Sequence, residues 1–154
     1  MEDVWKRDAI IAHSATLIRS FRRFTGGDLL PGLFNPLGRS RNLFVAPFVV
    51  VSHGTEADPV LNYGNQSALN LWEMSWEELT RTPSRLTAEV PEREERARLL
   101  AAVTERGFID DYSGIRISKS GRRFRITKAV VWNLVTEKGD PCGQAATFRE
   151  WQFL

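Results

Sequence analysis

From Val4 onward, Ile10, Leu17, Phe21 and Phe24 recur at helical spacing, with Ile11 and Ile18 beside them. Apolar residues three, four and seven apart share one helix face. The pattern predicts an amphipathic helix capped by Asp3 and stopped by Gly26-Gly27. Residues 28–42 carry Pro31, Gly32, Pro36 and Gly38 and read as a polar linker. Phe44 to Ser52 is an apolar run long enough for one buried strand. Pro47 inside it cannot donate to a ladder, which places that strand at an edge or a bulge. A polar loop, His53 to Asp58, leads to a second short strand from Pro59 to Tyr63. Asn65 can accept from backbone N–H groups two or three residues on, so it caps a helix whose buried face is Ala68, Leu69, Leu71 and Trp72. Ser75 and Glu78 have capping-box spacing for a short helix that Thr82-Pro83 breaks. Pro91, Glu92, Glu94 and Glu95 suit the first turn of another helix, which ends at Gly107. Leu99, Leu100 and Val103 are its apolar contacts. Its charged residues, including the spaced pairs Glu92 with Arg96 and Glu94 with Arg98, read as a solvated face.

After Gly107 the period drops to two. Phe108 to Ser118 reads as a strand bulged at Gly114. Ser120-Gly121 is a hairpin turn. Phe124, Ile126, Val130, Trp132 and Leu134 then alternate with Arg123, Arg125, Thr127 and Asn133, with Lys128 as the one break. A turn at Glu137 to Asp140 precedes a last strand, Gly143 to Phe153. The order is helix, two strands, three helices, three strands. It predicts an α+β chain in three parts: an N-terminal amphipathic helix (1–27), a linker (28–42) and a domain body (43–154). The body is a five-stranded antiparallel sheet with helices on one face, curved around a small apolar cavity. The stripe of the leading helix needs a cover, either the domain's own sheet or a second copy, for which a two-fold pair is the commonest arrangement.

Composition narrows the function classes. A chain of 154 residues fits one core. A formal charge of +2, with Arg scattered among Glu and Asp, does not make a nucleic-acid surface. No apolar run approaches the roughly 20 residues that span a bilayer. The opening MEDVWKRDA lacks the basic-then-apolar order of a signal peptide. Cys142 is the one cysteine, so neither an internal disulfide nor a CxxC site can form, and a cytoplasmic location is expected. There is no Gly-rich phosphate loop, HExxH or GxSxG.

Several separated segments carry a resemblance. Pro59-Val60-Leu61-Asn62-Tyr63-Gly64-Asn65-Gln66-Ser67-Ala68 resembles the second strand of PAS domains, ending in Asn at the helix entrance. Trp76-Glu77-Glu78-Leu79 is similar to the PAS helix written s-x-e-E-L, and Ser118 to Phe124 to its hairpin kdGs-x-f. More narrowly, APFVVVSHGTEADPVLNYGN, ALNLWEM, PSRLTAE, GFIDDYSGIRIS and FREWQF resemble the MEKHLA domain. That family occurs as stand-alone bacterial proteins and as the C-terminal module of plant class III homeodomain–leucine-zipper regulators. No homeodomain or zipper heptad is present here, so DNA binding does not carry over, and the letters that name the family are not in the chain. The resemblance implies a PAS-like fold, a small-ligand cavity, and a role in signalling or self-association. It implies no known reaction.

The expected function is a non-enzymatic sensory or ligand-binding domain for a small apolar or aromatic molecule. Its expected partners are that ligand, a second copy through the N-terminal helix, and a signalling protein, with no nucleic acid and no membrane. Asn62, Tyr63 and Asn65 are the candidate polar groups beside the cavity, and Trp72, Phe108, Trp132 and Phe148 its candidate lining. Core packing explains the aromatics equally, and a helix cap explains Asn65. His53, with Glu56 and Asp58 nearby, forms a candidate polar site; the plainer reading is a turn histidine bonded to local backbone. Two alternatives stand beside this: a structural dimerisation module with a filled core, and a small enzyme using His53 with a nearby carboxylate. No catalytic or metal site is assigned. The cofactor is left open, although Pro91 to Arg106 holds no His for a haem, and Cys142 lies outside the helical middle where a flavin-adduct domain needs it. Asp110 and Asp111 are strand neighbours that point to opposite faces, so they do not make a paired-acid site.

Overall fold

In the computed structural model, which describes residues 3–154, helix α1 (Asp8–Thr25) and helix α2 (Pro36–Phe44) precede strands β1 (Val49–His53) and β2 (Leu61–Gly64). Helices α3 (Gln66–Trp72), α4 (Trp76–Leu79) and α5 (Val90–Arg106) follow. Strands β3 (Phe108–Ile117), β4 (Arg123–Val135), β5 (Pro141–Phe148) and β6 (Glu150–Phe153) end the chain. The strands form one sheet in the order β2-β1-β5-β4-β3, with every pairing antiparallel. Strand β6 also pairs with β4, so β5 and β6 act as one long last strand broken at Arg149. The five-strand expectation is borne out in this form.

Each face of the sheet has its own helical cover. Val49, Ala129, Val131 and Phe148 pack with Trp72 and Val103 on the side of α3 and α5. Val50, Trp132, Leu134 and Ala145 pack with Ile10 and Leu17 of α1 on the other side. Helix α4 closes the β2 edge, where Trp76 and Leu79 join Tyr63. Of the two covers open to the amphipathic stripe, the structure has the chain's own sheet.

The sheet is not a simple alternation. Phe124 and Ile126 share a face with Ala129 and Val131, whereas Trp132 and Leu134 face α1. The switch of parity falls at Lys128, whose φ of 53° is left-handed. Strand β3 carries a matching irregularity at Asp111, φ 54°, and the register between the two strands shifts on both sides of Tyr112. An extra residue in each strand restores the register while turning both strands over. The expected continuous face from Phe124 to Leu134 is therefore corrected. The expected bulge at Gly114 lies at Asp111 instead, and both Asp110 and Asp111 are exposed there.

Three N-terminal expectations also change. Residues 28–42 are not all linker, because α2 begins within them. Asn35 Oδ1 accepts from Gly38 N at 2.7 Å, and Pro36 occupies the first turn, where its fixed φ and missing N–H cost nothing. Strand β1 begins at Val49, since Phe44 ends α2, and Pro47 lies outside the ladder. Asp3 precedes a 3₁₀ turn, Val4–Lys6, without a side-chain cap, and α1 starts only after Arg7. Gly26 does end α1, in the left-handed conformation at φ 77°.

Two polar clusters lock these layers. Asn65 is fully buried. Its Oδ1 accepts from Val50 N at 3.0 Å and Ala68 N at 3.2 Å, and its Nδ2 donates to Leu43 O at 3.1 Å and Phe48 O at 2.8 Å. One amide thus ties the end of α2, β1 and the start of α3. On the α1 face, Ser52 Oγ donates to Asn62 Oδ1 at 2.5 Å, so it accepts from His13 Nε2 at 2.9 Å. Burial holds the His13 imidazole down at about 4, and its ring lies 5.6 Å from that of Tyr63.

Replacing Asn65 by Ala leaves these four backbone groups without their partner and should cost about 3 kcal/mol or more in urea unfolding. A loss under about 1 kcal/mol would contradict the role assigned to it. For His13 the folded pKa lies below the unfolded 6.5, so the unfolded chain takes up the proton first as pH falls. Stability should be complete above pH 6.5 and decline towards pH 4, by up to about 3 kcal/mol. Melting curves across this window should flatten in His13→Gln; an unchanged slope refutes the assignment.

Candidate functional site

Between α3, α5 and the sheet lies a cavity of about 70 Å³. The register explains the space. Ala146 stands opposite Val51 on one neighbour and Val131 on the other, so the middle of this face carries short side chains. Trp72 of α3 and Leu99 and Leu100 of α5 form the roof. Leu61, Ile126 and Phe148 complete an apolar wall. A single buried water needs ~10–15 Å³, while pockets for drug-sized ligands run to ~300 Å³ or more. The space suits a small molecule.

Polar groups interrupt this wall at named points. Arg96 projects from α5 and donates Nη2 to Ser84 Oγ at 2.8 Å. Arg116, on β3, is buried and donates Nη2 to the Tyr112 hydroxyl at 3.1 Å and Nη1 to Ile115 O at 2.9 Å. That hydroxyl in turn donates to Glu95 Oε2 at 2.9 Å. Burial, and then the charge of Arg116, lower the Arg96 guanidinium to about 10. Burial pushes the Tyr112 phenol up, so it stays a neutral donor.

His53 also lines the cavity. Its Nδ1 sits 2.9 Å from Gly54 O, and since a carbonyl can only accept, Nδ1 carries the proton. Burial lowers its pKa, so the ring is neutral and Nε2 is an acceptor. That Nε2 is buried without a protein partner, as is the Trp72 Nε1–H donor. His53 and Trp72, both among the lining residues, thus each carry a buried polar atom without a protein partner.

Of the residues singled out from the sequence, Trp72, Phe148 and His53 meet at this cavity. Asn62 lies on the α1 face with Ser52 and His13. Tyr63 is fully buried there against Trp76 and His13, where burial drives its phenol far upward. The Asn65 amide is spent on backbone. Trp132 packs edge-on against Phe21 of α1, with ring centroids 5.0 Å apart, and Phe108 belongs to the same cluster. For Phe108 and Trp132 it is the bulges in β3 and β4 that set the face, whereas Asn62 and Tyr63 lie on β2, at the other edge of the sheet. Glu56 and Asp58 are exposed and bonded elsewhere: Glu56 Oε1 accepts from Val60 N at 3.2 Å, and Asp58 pairs with Arg85 at 3.2 Å. Neither carboxylate hydrogen-bonds His53, so no acid–imidazole pair is assembled.

The sequence reading missed Arg96, Arg116 and Tyr112. Glu94 and Arg98 do form the expected exposed pair at 3.2 Å, but Arg96 turns inward rather than to Glu92. A signal for it existed. Arg96, Leu99, Leu100 and Val103 fall at helical spacing, so Arg96 belongs to the apolar stripe of α5. Likewise Tyr112, Gly114 and Arg116 alternate on one face of β3.

A flavin does not fit these residues. The cavity is too small for a tricyclic ring, and Cys142 packs with the cluster on the α1 side of the sheet. Among the described residues no three His, Cys, Asp or Glu side chains converge on a metal-sized site, and no helix is long and apolar enough to cross a membrane.

Known proteins resemble the chain at two levels. In fold it is similar to the PAS domain of a protein from Colwellia psychrerythraea, at 15% identity and a TM-score of 0.60 over 75% of this chain and 93% of that one. A light-oxygen-voltage domain studied with a flavin analogue matches at 15% identity and a TM-score of 0.59, over 75% of this chain and 83% of that one. The light-state dimer of the fungal blue-light photoreceptor Vivid matches at 12% and 0.58, over 88% of this chain and 92% of that one. No curated protein sequence matches. The model of the MEKHLA domain matches residues 11–153; with the PAS-like strand order and the helix-roofed cavity, this makes the chain a member of the MEKHLA domain family.

Proposed function

We propose that this PAS-like domain is a non-enzymatic sensor that holds a small, largely apolar molecule between α5 and the sheet. The observation that carries the reading is the cavity itself. It is apolar over most of its wall, yet two of its lining residues, His53 and Trp72, carry buried polar atoms, Nε2 and Nε1, that lack a protein partner. Native proteins satisfy almost all such groups, and a few convergent polar atoms in an apolar pocket are the usual form of a small-molecule site. A neutral imidazole without a carboxylate partner gives little basis for acid–base catalysis, which favours binding over the enzyme alternative. A change in ligand occupancy would reach a signalling partner through α5 and β3, which supply much of the wall.

Regulatory self-association is the second part of the reading, and the light-state dimer of Vivid is a precedent in fold. The α1 stripe is closed on its own sheet, so a pair built on that stripe needs α1 to leave Trp132 and Leu134. Light scattering over a hundred-fold range of concentration tests this, and a mass fixed at one chain refutes it.

Protein purified from its host should show an additional mass in native spectra that is absent after denaturation. Ala146→Leu, which fills the cavity between Val51 and Val131, should abolish that retention while unfolding cooperatively near the original temperature. No retained mass, together with no thermal shift from a metabolite panel, would overturn the ligand reading. Equal retention by Ala146→Leu would move the site elsewhere.

A further inference from the structure

The ionisable groups that line the cavity are unbalanced. Arg96 and Arg116 face it from opposite walls, on α5 and β3. Among the described residues neither forms an ion pair with a carboxylate. The nearest acid in the network, Glu95, reaches Arg116 only through the Tyr112 hydroxyl. Two guanidinium charges against that one carboxylate leave the site one positive charge in excess. The protein acceptors these groups have are neutral: Ser84 Oγ, Ile115 O and the Tyr112 hydroxyl. Most of the N–H donors of the two forks are left for something else.

A buried charge is tolerated when it is paired and hydrogen-bonded. Two guanidinium groups near enough to oppose each other's charge are the reverse of that, unless an anion comes between them. Arginine's planar fork matches a carboxylate in particular. Most of the rest of the wall is apolar. Resting on the ligand-binding reading above, we infer that the cavity takes a small monocarboxylate with an apolar body. The carboxylate lies between Arg96 and Arg116, and the body lies against Trp72, Leu99 and Phe148.

Paired probes of equal shape test this on the intact chain. Isovalerate and benzoate carry the charge; 3-methylbutanol and benzyl alcohol lack it. In amide chemical-shift titrations at constant chloride, the acids should bind at least about ten-fold more tightly than the alcohols, with the largest shifts in α5 and β3. Arg96→Gln and Arg116→Gln should each remove most of that preference. Arg96→Lys keeps a charge in case the neutral variants fail to fold, and should retain part of the preference. Alcohols that bind as well as the acids would overturn the charge inference and leave the ligand-binding reading standing. An acid preference that survives in the Gln variants, or fails to appear in the wild type because neither class binds, overturns the inference; the second result counts against the cavity reading too.

Discussion

The structure depends on four hydrogen bonds made by one buried amide. Asn65 holds Leu43 and Phe48 carbonyls, the Val50 N–H and the Ala68 N–H at once. These groups come from the end of α2, the lead into β1, β1 itself and the first turn of α3. None can be met by water in that place, so the amide sets where α2 stops, how β1 enters the sheet and how α3 leaves it. The roof of the cavity inherits its position from this knot, since Trp72 stands at the far end of α3. A residue that reads as a ligand contact is thus a structural one whose consequence is felt at the cavity.

The second constraint is the pair of bulges at Asp111 and Lys128. They turn β3 and β4 over midway, so both faces of the sheet become apolar in succession. That is why the sheet needs two covers, and why α1 belongs to this fold rather than to a tether. It also separates two chemistries. On the α1 face, His13, Ser52 and Asn62 are linked to one another and packed tight. On the α5 face, Arg96, Arg116, His53 and Trp72 surround open space and retain unused donors and acceptors. Both sides keep unpartnered buried atoms, on Tyr63 and Trp132 towards α1 and on His53 and Trp72 towards α5, but Arg96 and Arg116 line space on the α5 side.

Such a division suits a sensor. An empty hollow between helix and sheet leaves side chains without contacts on one side, and a molecule that fills it adds them. Tyr112 connects β3 to α5 by donating to Glu95, and it accepts from Arg116. Under the proposed reading, occupancy would act on the relative position of these two elements through direct contacts rather than through a long route.

The sequence by itself determined the local events. The Asn65 and Ser75 caps, the Gly26 stop and the start of α5 at Val90-Pro91 all depend on residues within one turn of each other. The succession of elements, and with it the PAS-like plan, followed from them. Tertiary structure decided what depends on distant partners. Whether Phe108 and Trp132 share a face with Tyr112 and Ile126 or turn to α1 hangs on two left-handed residues, Asp111 and Lys128, that no period announces. Whether Asn65 serves a ligand or the backbone hangs on carbonyls 17 and 22 residues away. Whether Arg96 lies in water or in the wall hangs on which side of α5 the sheet covers, and that is a property of packing, which acts between elements and leaves only a faint mark within each.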